Sequence, residues 1–257
     1  MEIEAFKPKA RFSNVVDDYN KYRPDYPKHI IDILKMNCDL KKDSVIADIG
    51  SGTGIFTKMV LDNGNAVYGV EPNDNMRRKS EEILTGYNNF TPLKGDAEET
   101  TLETNSIDFI TVAQAFHWFD TDIAIPEFYR VLKDSGFIVL IWNERITNEN
   151  ELMKGYDTLL RKYCKDYKAT DHKHFKYERL KELFCGKSIT LYMVENSQTM
   201  DIDAFIGRLK SCSYCPLPDQ KVYKPLMEAM EQMFNTYQKD NQLTFEYETF
   251  LYVISNK

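Results

Sequence analysis

The chain first turns strongly apolar at Val45-Ile46-Ala47-Asp48-Ile49, a run too short for a helix and closed by glycine, so it reads as a buried strand. Ile55 to Asp62 then repeats apolar positions at helical spacing, and Ala66 to Val70 is a second strand. Asn73 to Thr85 is polar and helical; Asn73 is its N-cap, because a short side-chain oxygen there can accept from the open N–H groups of the first turn. Phe90 to Lys94 predicts a third strand, and Ile107 to Ala113 a fourth whose apolar density makes it central. Thr121 to Lys133 predicts a helix and Gly136 to Trp142 a fifth strand. Strands alternating with helices imply an α/β fold, a mostly parallel sheet with helices on both faces.

Beyond Asn143 that alternation stops. Glu149 to Tyr167 and Tyr177 to Phe184 read as helices, Ser188 to Glu195 as a strand, then Ile202 to Leu209 and Asp219 to Tyr237 as helices. Leu243 to Ile254 alternates apolar with polar, as an antiparallel strand does. Pro24 and Pro27 interrupt the helix that precedes them, so residues 1–40 are expected to form a helical lid over the sheet edge. Residues 41–145 are the expected core, residues 146–218 a cap that includes a later strand, and residues 219–257 the last helix and strand.

The chemistry concentrates where the first strand ends. Gly50-Ser51-Gly52-Thr53-Gly54 spaces three glycines two apart before a helix N-terminus, so backbone can press against a ligand there. Glu71 closes the second strand twenty-one residues after Gly50, where an acid can accept hydrogen bonds from both hydroxyls of a ribose. These features read as a nucleoside site at the carboxyl edge of the sheet. A dinucleotide fingerprint would need glycine where Ile55 stands, and Asp48 suits a ligand with a cationic end better than a diphosphate. A nicotinamide-dependent oxidoreductase and a nucleoside-binding regulator without catalysis both remain open at this point.

Asp48-x-Gly50-x-Gly52-x-Gly54 resembles motif I of the class I methyltransferases that use S-adenosylmethionine and release S-adenosylhomocysteine. The resemblance implies a Rossmann-like sheet of seven strands with the last one inserted antiparallel. It also implies cofactor contacts at Asp48, Gly50, Ser51, Gly52, Thr53, Gly54, Glu71 and Pro72, with Met76 against the adenine. Asp96 and Ala97, after the third strand, match the family's acid for the adenine amino group. Ala113-Gln114-Ala115-Phe116-His117-Trp118-Phe119-Asp120 resembles a subgroup that includes trans-aconitate methyltransferase. There Ala113, Gln114 and Trp118 would face the cofactor, Phe116, Phe119 and Trp142 the acceptor, and His117 could act as a base. The segment from Arg11 to Pro27 resembles the same subgroup: Arg11, Tyr19 and Arg23 would meet the cofactor, and Tyr22 would close the methyl-transfer cavity. Arg208 to Cys215 loosely matches a substrate-facing element, with Arg208 as a carboxylate clamp and Tyr214 beside it.

Composition bounds the partners. A net charge of −7 argues against a broad nucleic-acid or anionic-membrane surface; a small-molecule methyl acceptor is the expected partner, with a protein or RNA acceptor still open at this point. The N-terminus lacks the apolar core of a signal peptide and no run reaches membrane-spanning length, so a cytoplasmic protein is expected. Five scattered cysteines suit reduced thiols; Cys212 and Cys215 alone form a C-x-x-C pair, without the further ligands zinc would need, so no metal is expected. The nucleophile that accepts the methyl group and the oligomeric state are not legible.

Overall fold

The computed structural model describes residues 16–167 and 177–256. Its framework is a seven-stranded sheet: β1 (Val45–Ile49), β2 (Ala66–Val70), β3 (Phe90–Leu93), β4 (Ile107–Ala113), β5 (Leu132–Arg145), β6 (Ile189–Met200) and β7 (Leu243–Ser255). The strands lie in the order β3-β2-β1-β4-β5-β7-β6. The first five pair in parallel, and β7 slots antiparallel between β5 and β6. This is the Rossmann-like arrangement expected from the sequence. Nine helices are described: α1 (Val16–Tyr22), α2 (His29–Cys38), α3 (Ile55–Asp62), α4 (Asp74–Ile83), α5 (Thr121–Val131), α6 (Glu151–Tyr163), α7 (Tyr177–Leu183), α8 (Ile202–Lys210) and α9 (Tyr223–Tyr237).

The two faces of the sheet follow from period-two alternation. Ala47, Ile49, Ile110, Val112, Ile138 and Leu140 pack one way, against Phe128 of α5. Ile46, Val67, Phe109, Val139 and Ile141 point the other way, toward α2 and α3. A third apolar cluster joins Tyr156 of α6, Phe205 of α8 and Phe234 of α9 to Phe245 and Tyr247 at the start of β7. Burying side chains of this size contributes ~1.5–3 kcal/mol each, so that cluster anchors the cap helices to the sheet.

Several boundaries differ from the sequence reading. The helix expected to reach Lys133 ends at Val131, and β5 runs from Leu132 to Arg145 rather than from Gly136 to Trp142. Its extra residues are held by backbone pairing, Leu132 with Ile107 and Arg145 with Tyr247, which leaves no apolar trace. β6 extends to Met200 because β7 pairs with it along its whole length. The last long helix starts at Tyr223, not Asp219: Gln220 accepts from the Leu217 N–H through its side chain and donates its own N–H to the Leu217 carbonyl, closing a turn. Among the described residues, no helix is long and apolar enough to cross a membrane.

α1 stops at Tyr22 and α2 begins at His29, with Pro24 and Pro27 between them. That connection is tied across the carboxyl edge of the sheet. The side-chain amides of Asn143 and Asn196 both donate to the Asp25 carbonyl, and Gln198 Nε2 donates to the Tyr22 carbonyl at 2.9 Å.

Candidate functional site

The β1 turn is built by glycines in the left-handed region. Gly50 has φ +70°, and a Cβ there would come 2.6 Å from the Cβ of Ala115, so the turn lies directly against the loop after β4. Gly52, at φ +57°, has no atom within 4 Å of the place a Cβ would occupy. The space above it is a cavity of about 270 Å³, just below the ~300–1,000 Å³ usual for ligand sites. It is lined by Gly50, Gly52, Glu71, Pro72, Met76, Asp96, Ala97, Ala113, Gln114, Trp118 and Phe119, all singled out from the sequence. Asn73, Glu98 and Ala115 complete the lining and were not among the expected site residues. Two of them carry an oblique signal: Ala115 is the small partner that Gly50 requires, and Asn73 is the expected N-cap, accepting from the Asn75 and Met76 N–H groups.

Glu71 sits at the tip of β2 with each carboxylate oxygen fixed. Gly52 N–H donates to Oε2 at 2.9 Å and Asn73 N–H to Oε1 at 2.8 Å. Asp96 accepts from the Glu99 N–H at 3.1 Å, and Glu98 Oε1 accepts from the Asp120 N–H at 2.7 Å, which joins the loop after β3 to the aromatic loop. Gln114 adopts φ +59°, a conformation that costs of order 1–3 kcal/mol for a non-glycine residue, and two bonds hold it. Its N–H donates to the Ile141 carbonyl and its Nε2 to the Asn143 carbonyl.

The charge of the lining decides between ligands. Among the described residues, Glu71, Asp96 and Glu98 bring three carboxylates to the lining, and no lysine, arginine or histidine reaches it. A diphosphate placed against these three acids would meet like charge, whereas a cationic nucleoside meets opposite charge. These groups therefore fit S-adenosylmethionine: a buried acid to accept from a ribose diol, a second acid to accept from an exocyclic amine, an apolar slot at Met76 and Ala97, and a negative field for a sulfonium.

Other expected cofactor residues lie outside the lining. Asp48 is buried between β1 and α3, where its two oxygens accept from the hydroxyls of Thr57 at 2.6 Å and Thr111 at 3.0 Å. The Ser51 hydroxyl is directed at Gly69, and Thr53 and Gly54 pack beneath the turn, where a Cβ on Gly54 would meet Leu84. Phe116 and Trp142, expected at the acceptor, are core residues that pack edge to face with each other. The 3₁₀ turn Phe116–Trp118 rotates Phe116 inward while leaving Trp118 and Phe119 on the cavity. His117 stands beside the Trp118 ring and is not part of the lining. Arg11 lies outside the described residues, as does the side chain of Tyr19.

Tyr22, Arg23, Arg208 and Tyr214 come together elsewhere on the same sheet edge, around α8. Arg23 Nη2 donates to the Ser211 carbonyl at 2.9 Å. The Tyr22 ring lies flush on Gly207, where a Cβ would fall 2.3 Å from the ring. Gly207→Ala is therefore expected to push α1 off α8 and cost about 1–3 kcal/mol as an overpacking change, read by denaturant unfolding. An unchanged midpoint would show that this contact is not held.

Burial pushes the Asp48 carboxyl up to about 6, against the opposing pull of its bonds from Thr57 and Thr111, and burial likewise raises Glu71. An acid that holds its proton more tightly when folded contributes stability that is present below its unfolded pKa and lost as pH rises through the folded one. For Asp48 that window runs from about 4 to about 6. Asp48→Asn is expected to gain on the parent by about 3 kcal/mol between pH 4 and pH 7, two pK units at ~1.36 kcal/mol each. Parallel stability curves for the two proteins across that range would contradict the assignment.

Residues 47–140 match the family described as "Methyltransferase domain". Over 134 residues the chain is 37% identical to an uncharacterised methyltransferase of Mycobacterium tuberculosis, a match covering 52% of each chain. A protein of Dictyostelium discoideum named as a methyltransferase is 27% identical over 243 residues, 91% of this chain and 89% of its own. The matched region spans about half the length of the mycobacterial relative and most of the Dictyostelium one. Among solved structures, a methyltransferase of an antibiotic biosynthesis pathway from Anabaena variabilis has a TM-score of 0.63 at 18% identity, covering 91% of this chain and 98% of that one. Phosphoethanolamine N-methyltransferase 2 of Haemonchus contortus, solved with S-adenosylmethionine, gives 0.57 at 18% identity, covering 99% of this chain and 60% of that one. At such identity these likenesses speak for the fold alone. By sequence, residues 47–140 carry the match to the methyltransferase domain family, and nearly the whole chain shares the fold of solved methyltransferases.

Proposed function

We propose that this chain binds S-adenosylmethionine in the β1–β2–β4 cavity and transfers its methyl group to a small-molecule acceptor, releasing S-adenosylhomocysteine. The observation that carries the reading is that every charged side chain among the described lining residues is acidic, with Glu71 at the centre, which favours a cationic nucleoside over a dinucleotide.

When bound, S-adenosylmethionine supplies an electrophilic methyl group on a positively charged sulfur. The rest falls to the protein. Glu71 accepts from the ribose hydroxyls, and Asp96 with the backbone of Ala97 pairs with the adenine edge. Met76 and Ala97 provide its apolar slot. Gln114, locked between β4 and β5, fixes the floor on which the acceptor must align. Trp118 and Phe119 wall the cavity and exclude water. Alignment of this kind is worth up to ~7–11 kcal/mol of barrier in the best intramolecular cases, and a carboxylate acceptor needs no base. His117 lies off the cavity, so this reading gives it no proton to remove.

The test is a turnover screen. The protein is incubated with S-adenosylmethionine and fractionated metabolite pools, and the acceptor is identified as the compound that gains one methyl group by mass. S-adenosylhomocysteine formed in step with that product is the expected result. Binding without turnover in every pool would overturn catalysis and favour a nucleoside-sensing protein.

A further inference from the structure

Arg145 and Arg208 are buried cations with little set against them. Arg208, 6% exposed on α8, donates from Nη1 to the Cys212 Sγ at 3.0 Å, while its buried Nε has no hydrogen-bond partner. Arg145, the last residue of β5, donates from Nη2 to the Tyr167 hydroxyl at 2.9 Å, and its buried Nη1 has none. Its guanidinium lies 4.9 Å from the centre of the Tyr156 ring, and the Tyr156 hydroxyl is likewise buried without a partner. Among the described residues no carboxylate pairs directly with either arginine. Asp157 reaches Arg145 only through Tyr167, whose hydroxyl donates to Asp157 Oδ1 at 2.7 Å.

A buried guanidinium without a counter-charge is among the least favourable groups a fold can carry, and these two stand close enough to repel. The local field is visible in a neighbour. Burial raises the Cys212 thiol, yet the guanidiniums of Arg208, Arg23 and Arg145 and a hydrogen bond with Tyr214 bring it down to about 7. Among the described residues the cluster sets Cys212 and, through Tyr167, Asp157 against the guanidiniums, with no carboxylate in direct contact with Arg145 or Arg208. It also stands next to the cofactor cavity. Gln114 lines that cavity and donates to the Asn143 carbonyl, and Arg145 follows two residues on, about 7 Å along the same strand.

We infer that Arg145 and Arg208 hold an oxyanion of the methyl acceptor, a carboxylate or a phosphate, with the Tyr156 hydroxyl as a third donor. Calling this ligand the acceptor rests on the proposed methyltransferase reading; the anion site itself does not. Planar guanidinium forks with unused N–H groups match either oxyanion at two points, which an ammonium cannot do. The acceptor is then an acid, and neutral or cationic compounds bind poorly whatever their shape.

Calorimetry on the whole chain tests this with tricarballylate for the carboxylate arm, glycerol 3-phosphate for the phosphate arm, and glycerol at matched ionic strength as control. S-adenosylmethionine is titrated in parallel. One acid is expected to bind at one site per chain, with affinity falling at least tenfold in Arg145→Met and in Arg208→Met. Both variants should melt at or above the parent temperature, since each removes a buried unpaired charge. In a Cys185→Ser background, which removes an exposed thiol, the bound acid should shift the Cys212 thiolate titration upward. Neither acid binding better than the control, unchanged binding in both variants, or binding that leaves Cys212 unmoved would each overturn the site. S-adenosylmethionine binding without acid binding discards the anion site alone; acid binding without S-adenosylmethionine binding discards the proposed function instead.

Discussion

Glu71→Ala is expected to give a folded protein whose affinity for S-adenosylmethionine is about a hundredfold to a thousandfold weaker than the parent. Each carboxylate oxygen already accepts one backbone N–H, from Gly52 and from Asn73, so the group is fixed before any ligand arrives. Little ordering remains to be done on binding. Hydrogen bonds to a charged acceptor contribute ~1.5–3 kcal/mol each, so two from a ribose diol amount to ~3–6 kcal/mol, and the expected loss of ~3–4 kcal/mol lies in the lower part of that range. Folding should suffer less. The two N–H groups released face an open cavity and can be hydrated, and the burial that raises the Glu71 carboxyl marks a charge the ligand-free fold holds at a cost. Glu71→Gln should not rescue, because its amide nitrogen must face one of two N–H donors. Calorimetric affinity equal to the parent in either variant would remove Glu71 from the ligand.

The second large effect is expected from Gly52→Val, and its sense depends on the neighbouring glycine. A Cβ on Gly52 meets nothing within 4 Å, so the valine side chain enters the cavity rather than the protein. Its φ of +57° is unfavourable for a branched residue by roughly 1–2 kcal/mol. The variant should therefore fold with a modestly lower melting temperature and show no measurable cofactor binding. Gly50→Val differs: its Cβ would overlap Ala115 at 2.6 Å on top of the positive φ, so that variant should fail to fold. Melting curves and calorimetry on the pair separate these outcomes. A Gly52→Val protein that still binds the cofactor would show that the ligand does not pass over this turn.

β1, β2, β4 and β5 were legible because each carries a short, largely apolar run that the sheet buries. β3 was legible from its place in the alternation, although none of its residues is fully buried, and the turn because left-handed backbone at Gly50, Gly52 and Gly54 calls for glycine. Glu71 and Asp96 were legible from their place after a strand. The direction of Asp48 was also available: period-two alternation puts it on the same face as Ile46, toward α3 and away from the cavity. Phe116 and Trp142 misled because aromatic residues beside a pocket and aromatic residues beneath it look alike in sequence; the 3₁₀ turn decides between them. Arg145 left no local signal. It ends a polar stretch of β5 held by pairing with β7, and its surroundings come from α6, α8 and the residues after them. Such clusters are products of long-range packing and cannot be read from spacing.

The most direct test of the central claim is a paired calorimetric titration of the purified chain with S-adenosylmethionine and with NAD. An acidic cavity at the first βα corner predicts saturable binding of S-adenosylmethionine at one site per chain, lost in Glu71→Ala, and no detectable heat from NAD. Tight binding of NAD, or none of S-adenosylmethionine, would contradict the account.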